Sequence, residues 1–120
     1  MKLNKRILIA LCAGLLATGT GIGHAYNKRD IGLINHSSDT IENVYISPTS
    51  SGIWSVDRLR DSTLRGGHAV LFDFDGSGYT TCHFDVRLDF QSGESREYYD
   101  LNFCNVTAIV VTDDDAYTIQ

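Results

Sequence analysis

The segment Asp73-Phe74-Asp75-Gly76-Ser77-Gly78 comes nearest to a ligand set in this chain. Oxygens on Asp73, Asp75 and Ser77 at alternate positions, followed by glycine, match the first half of a loop that wraps a calcium ion. The second half does not follow. Its twelfth position is Phe84, where a bidentate glutamate is required, and the flanking residues read as strands rather than helices. A Gly-rich hairpin turn with its usual Asp and Ser residues is therefore the favoured reading. Calcium held by Asp73, Asp75 and Ser77 is the alternative, and no other cofactor is expected.

A second group of reactive side chains lies along Thr81 to Phe90. Cys82, Phe84, Val86, Leu88 and Phe90 alternate with His83, Asp85, Arg87 and Asp89, which gives a strand one apolar and one polar face. A His and an Asp two residues apart on a strand can supply two metal ligands or an acid–base pair. No third ligand is identifiable, His36 and His68 fall in other strands, and Arg87 between two aspartates points to ion pairing on a solvated face. No serine lies in a G-x-S-x-G or S-x-x-K arrangement, so the chain is read as non-enzymatic. Asn35-His36-Ser37 and Asn105-Val106-Thr107 match the glycosylation sequon, which matters only in a eukaryotic secretory route.

Among the aromatic residues, Trp54 is the foremost contact candidate, although a plug closing one end of the fold is its favoured role. Tyr98, in step with the polar face, is expected to be the most exposed ring. The contact candidates are thus Trp54, Asp57, Tyr98, His83, Asp85 and Arg87.

The chain begins with Lys2, Lys5 and Arg6, an apolar run from Ile7 to Ala17, and small residues ending in Gly23-His24-Ala25. This is the pattern of a cleaved secretory signal peptide over residues 1–25, with an apolar run too short to span a bilayer. Leu11 precedes Cys12 where a lipobox needs a small residue, so Cys12 is expected to leave with the leader. One periplasmic or secreted domain remains over residues 26–120, roughly 95 residues, without a membrane span. It holds seven Lys and Arg against fifteen Asp and Glu, a net charge near −8. Nucleic acid and anionic membranes repel such a chain. Outside the cytoplasm the remaining Cys82 and Cys104 are read as a disulfide, worth about 3 kcal/mol by loop closure.

Apolar residues recur at period two throughout, which predicts short strands. They are expected at Asp30 to His36, Thr40 to Ser47, His68 to Phe74, Thr81 to Phe90, Ser95 to Phe103 and Val106 to Thr112. On the second, Ile41 and Tyr45 are placed on one face and Val44 and Ile46 on the other. The long irregular stretch from Thr49 to Gly67 is expected to hold a helical turn near Val56 to Arg60. Gln91-Ser92-Gly93-Glu94 is read as a four-residue hairpin loop pairing Asp89 with Arg96, Val86 with Tyr99 and Phe84 with Leu101. Cys82 then faces Phe103, so the disulfide needs a one-residue bulge or a strand end near Asn102. Val106 to Thr112 suits a strand buried on both sides, and Asp113-Asp114-Asp115 is read as the start of an acidic C-terminal tail. The fold class is all-β, a compact antiparallel sandwich or small barrel of about seven strands.

The run Tyr45-Ile46-Ser47-Pro48, then Trp54 to Leu59, then Cys82-His83-Phe84-Asp85-Val86-Arg87, resembles a group of small exported bacterial proteins of unknown function. Their pattern is Y-x-S-P, W-x-x-D-x-L and C-x-[YF]-D-[LIV]-R before a final cysteine. The resemblance implies an exported all-β domain with one disulfide and carries no catalytic residue. The expected function is that of a non-catalytic binding module, of the inhibitor or immunity type, acting on a protein in the cell envelope or outside the cell. A calcium-stabilised structural or adhesive domain is the alternative.

Overall fold

The computed structural model describes residues 30–74 and 79–120; residues 1–25, read above as a leader, lie outside them, as do Asp75 and Ser77 of the calcium reading. Seven strands follow in order: β1 (Ile31–Asn35), β2 (Ile41–Pro48), β3 (Ala69–Phe72), β4 (His83–Phe90), β5 (Ser95–Asn102), β6 (Ala108–Val111) and β7 (Ala116–Ile119). They form a four-stranded sheet in the order β3-β1-β6-β7 and a three-stranded sheet in the order β2-β4-β5. All neighbours are antiparallel except β1 and β6, which run parallel with Ile34 opposite Val110. A 3-10 turn, Thr49–Ser51, follows Pro48, and no described helix is long and apolar enough to cross a membrane. Near Val56 to Arg60 there is no helix. Hydrogen-bonded turns over residues 58–61 stand there instead.

The two sheets meet through alternating apolar residues. Ile31, Leu33, Ile109 and Val111 come from one, and Val44, Ile46, Val86, Leu88 and Tyr98 from the other. Ile41 belongs to this core as well, in contrast to its expected place beside Tyr45. A bulge between Ile41 and Asn43 inserts an extra residue opposite β4, which turns Ile41 to the same side as Val44 and Ile46. All four residues of β6 are buried, as its unbroken apolar run requires. Asp113-Asp114-Asp115 is not a tail. The three aspartates form the turn of a hairpin, and β7 pairs with β6 beyond them from Ala116 opposite Val111 to Ile119 opposite Ala108.

One end of the sandwich is closed by aromatic rings. Phe84 stacks on Phe103 at 4.8 Å and on Phe74 at 5.6 Å, with Tyr79 edge-on to Phe84 at 5.4 Å. The Cys82–Cys104 disulfide sits at the same end, its Cα atoms 5.3 Å apart. As the register requires, the Phe103 N–H bonds the Cys82 carbonyl, and β5 stops at Asn102 so that the chain can turn Cys104 back.

Two buried polar side chains hold the connections. Asn35, fully buried, donates through Nδ2 to the carbonyls of Asp39 and Leu64, while its Oδ1 accepts from the Ser37 N–H and hydroxyl. Its amide is committed inside the fold, so the first glycosylation sequon is not accessible. Arg96, 2% exposed, uses all five of its N–H groups. They reach the Glu94 carboxylate and the carbonyls of Thr112, Asp113 and Asp115, and the guanidinium lies 4.4 Å over the Phe90 ring. Arg96 thereby ties β5 to the β6–β7 turn across the sandwich.

The long segment from Gly52 to His68 packs along the free edge of β2. Arg58 N–H bonds the Val44 carbonyl, the Ser55 hydroxyl bonds the Ile46 carbonyl, and Leu64 and Ile41 exchange a pair of backbone bonds. An edge strand occupied in this way cannot recruit another chain.

Candidate interaction surface

The outer face of the β2-β4-β5 sheet gathers most of the residues singled out from the sequence. His83, Asp85, Arg87 and Asp89 point outward from β4, in alternation with its buried apolar residues. Arg87 pairs with Asp89 at 3.0 Å and stands 4.0 Å from Glu97, while its guanidinium covers the Tyr45 ring at 5.8 Å. The bond to Asp89 holds the Arg87 proton more firmly than usual. Ion pairing therefore accounts for this arginine.

His83 does not turn to Asp85. Its Nδ1 meets Asp100 of β5 at 2.8 Å. Asp85 Oδ1 instead accepts from the Thr49 hydroxyl at 2.7 Å and from the Asp100 N–H at 2.8 Å. The structure thus places the His and Asp of the acid–base reading with different partners. Among the described residues, no three His, Cys, Asp or Glu side chains converge as a metal set.

Trp54 is half-buried and lies on this face rather than plugging the sandwich, which the Phe74, Tyr79, Phe84 and Phe103 rings already close. The Ser55 N–H bonds the Ser47 hydroxyl and brings the loop over the end of β2. The indole then sits 6.4 Å from the Tyr99 ring. Ile53, Trp54, Asp85 and Tyr99, with Gly52, line a shallow pocket of about 170 Å³. Ile53 and Tyr99 are 73% and 59% exposed, and the left-handed Gly52, with φ of 70°, gives the loop its bend there. The Tyr99 hydroxyl donates to Glu97, and that bond holds its proton above the ordinary tyrosine range.

Tyr98, expected to be the exposed ring, is 1% exposed and part of the core. The cause is the hairpin. Phe90 N–H bonds the Glu94 carbonyl, so the loop is the three residues Gln91, Ser92 and Gly93, with Gly93 at φ 100°. A loop one residue shorter than expected sets Arg87 opposite Glu97 and Val86 opposite Tyr98, which turns Arg96 and Tyr98 inward. A bulge at Tyr99 and Asp100, with Asp100 at φ 58°, then restores Phe84 opposite Leu101. Tyr99 becomes the exposed ring of this face, which sequence reasoning missed. Burial pushes the Tyr98 hydroxyl up to about 12; among the described residues neither it nor the buried Asp115 Oδ1 has a hydrogen-bond partner.

Asp57 also faces inward work rather than solvent. Its carboxylate accepts from the Val44 and Leu59 N–H groups and from Asn43 Nδ2, which anchors the loop beside the β2 bulge. Its signal was local: an aspartate two residues before an N–H it can cap.

No family model matches the chain, and no curated protein matches it. Among solved structures, the NMR structure of a protein from Eubacterium rectale is similar, with a TM-score of 0.52 at 20% identity. The match covers 83% of this chain and 92% of the other. At that identity the likeness is one of fold.

Proposed function

We propose that the protein is a small exported binding module without catalytic activity, an inhibitor or immunity-type protein that engages another protein through the outer face of the β2-β4-β5 sheet. The observation that carries this reading is the cluster of Ile53, Trp54 and Tyr99 on one exposed patch beside Asp85, Glu97 and Asp100. Aromatic anchors rimmed by polar side chains are the usual anatomy of a protein-binding site. The acidic rim and the overall negative charge favour a cationic partner. The disulfide suits an oxidising compartment, and the leader pattern supports export there.

The test is chemical cross-linking in cell-envelope extract, comparing the wild type with Trp54→Ala and Tyr99→Ala. One stoichiometric basic protein, lost from both variants and weakened by salt, is expected. Equal capture by the variants removes this face from the interaction.

A further inference from the structure

The carboxylates on the outer face of the β2-β4-β5 sheet differ in what stands against them. Asp89 and Glu97 face Arg87, and Asp100 faces His83. Asp85 has no basic side chain against it among the described residues. Its Oδ1 is held by the Thr49 hydroxyl at 2.7 Å and the Asp100 N–H at 2.8 Å. Its Oδ2 accepts no hydrogen bond among the described residues and is not sealed from solvent. A carboxylate oriented by neutral donors and short of a counter-charge is organised in advance for a cation.

This carboxylate lines the shallow pocket beside Trp54 and Tyr99. The two rings stand 6.4 Å apart with their planes inclined at 36°, and Ile53 adds an exposed aliphatic wall. The loop that carries Trp54 is fixed, with the Ser55 N–H on the Ser47 hydroxyl and the Ser55 hydroxyl on the Ile46 carbonyl. No basic residue is part of the lining, and the Arg87 guanidinium lies over Tyr45 instead. At about 170 Å³ the pocket is smaller than the roughly 300–1,000 Å³ of small-molecule sites. It is the size of a recess for one long side chain.

We infer that this pocket takes a single lysine or arginine side chain of the partner, its aliphatic stem lying on Ile53, Trp54 and Tyr99 and its charged end meeting Asp85 Oδ2. Basic side chains lay their stems along apolar surface while the head keeps a polar contact. Aromatic rings attract the cation, and the charge-assisted bond to the carboxylate fixes its direction. The inference rests on the reading of this face as a protein-binding surface and adds to it the chemistry of the anchor.

The test is a titration of the 15N-labelled protein at low salt with the acetylated methylamides of lysine and arginine and of their neutral counterparts, norleucine and citrulline. Saturable shifts at Ile53, Tyr99 and the Trp54 indole N–H are expected with a basic amide, and the tighter of the two names the side chain. Asp85→Asn keeps an acceptor for Thr49 and Asp100 but not the charge, and should weaken binding about tenfold or more, the scale of a lost charge-assisted bond. Trp54→Leu should weaken it about threefold. Asp114→Asn removes an exposed carboxylate outside the pocket and should leave binding intact. No saturable shift with either basic amide, a neutral counterpart that binds as well, or equal binding by Asp85→Asn overturns the site. Because no partner is needed, the two readings fail separately. Loss of the shift with capture in envelope extract intact overturns this inference alone, and loss of capture with the shift intact overturns the partner reading alone.

Discussion

Truncating Arg96 should do as much damage as emptying one of the large apolar positions of the core. Arg96→Ala deletes three bonds from a cation to the carbonyls of Thr112, Asp113 and Asp115, with lengths of 2.7–3.0 Å. It also deletes the contact with Phe90 and the two bonds to Glu94. A hydrogen bond to a charged group contributes about 1.5–3 kcal/mol net. Two effects reduce the sum: the turn at Asp113 and Asp114 is exposed, so water can replace part of what is lost, and the buried cation no longer has to be desolvated. A loss of about 3–5 kcal/mol remains, the scale of breaking a buried ionic contact. That is a large share of the stability of a domain this small. Arg96→Lys keeps a point charge but not the planar fork and should fall between the two. Arg96→Met, which keeps the packing on Phe90 without the hydrogen bonds, separates the contributions. Urea unfolding followed by far-UV circular dichroism, with the disulfide intact, gives each value from the shift in midpoint at constant slope. Because the side chain is buried, added salt should change the difference little. A loss below about 1 kcal/mol for Arg96→Ala, no more than a single ordinary hydrogen bond, or a Met variant as stable as the wild type, refutes the view that the guanidinium joins the two sheets.

Asn35→Ala leaves the Ser37 N–H without its acceptor and takes one of two donors from each of the Asp39 and Leu64 carbonyls; it should cost about 1–3 kcal/mol, read as a fall in thermal midpoint. Gly66→Ala places a Cβ 2.4 Å from the Ser37 carbonyl oxygen, a backbone atom that cannot step aside, and should lose about 1–3 kcal/mol in the same melt. Tyr98 carries a proton in the folded state up to about pH 12, above the ordinary tyrosine value of 10.0. Its contribution to stability is therefore complete below pH 10 and disappears between pH 10 and 12. Tyr98→Phe should flatten that alkaline loss in a series of melts and, since the hydroxyl has no partner, cost little at pH 7. Replacing Cys82 and Cys104 together by alanine should lower stability by about 3 kcal/mol, measured by urea unfolding.

The strands were legible because their alternation reports which face is buried, and His83 to Phe90 follows that rule residue by residue. Register was not. Gln91-Ser92-Gly93-Glu94 accommodates a three- or a four-residue loop, and only the left-handed Gly93 decides between them. The one-residue error then exchanged Tyr98 for Tyr99. The bulge at Asp100 cancelled it, so the pairing of Phe84 with Leu101 and the disulfide geometry came out right despite a wrong start. Ile41 was displaced by the same kind of device at Glu42. Bulges leave no mark on periodicity apart from a single break, and a break also reads as a strand end. The seventh strand was hidden by its length: Ala116 to Ile119 is four residues, preceded by three carboxylates that look like solvated tail. The candidate patch was half visible. Trp54 and Asp85 stood out by type, but their meeting with Tyr99 depends on where a long loop lies down, and composition does not record that.

The parallel pairing of β1 with β6 also sets a timetable. A polypeptide released from one end presents Ile31–Asn35 early, yet that strand's second neighbour, Ala108–Val111, comes almost last. The β4–β5 hairpin can zip as soon as it emerges, whereas the other sheet stays unfinished until nearly the whole sequence is free. Such distant closure slows folding, and it keeps the newborn polypeptide open, hence threadable, for longer than a simple meander of the same length would be.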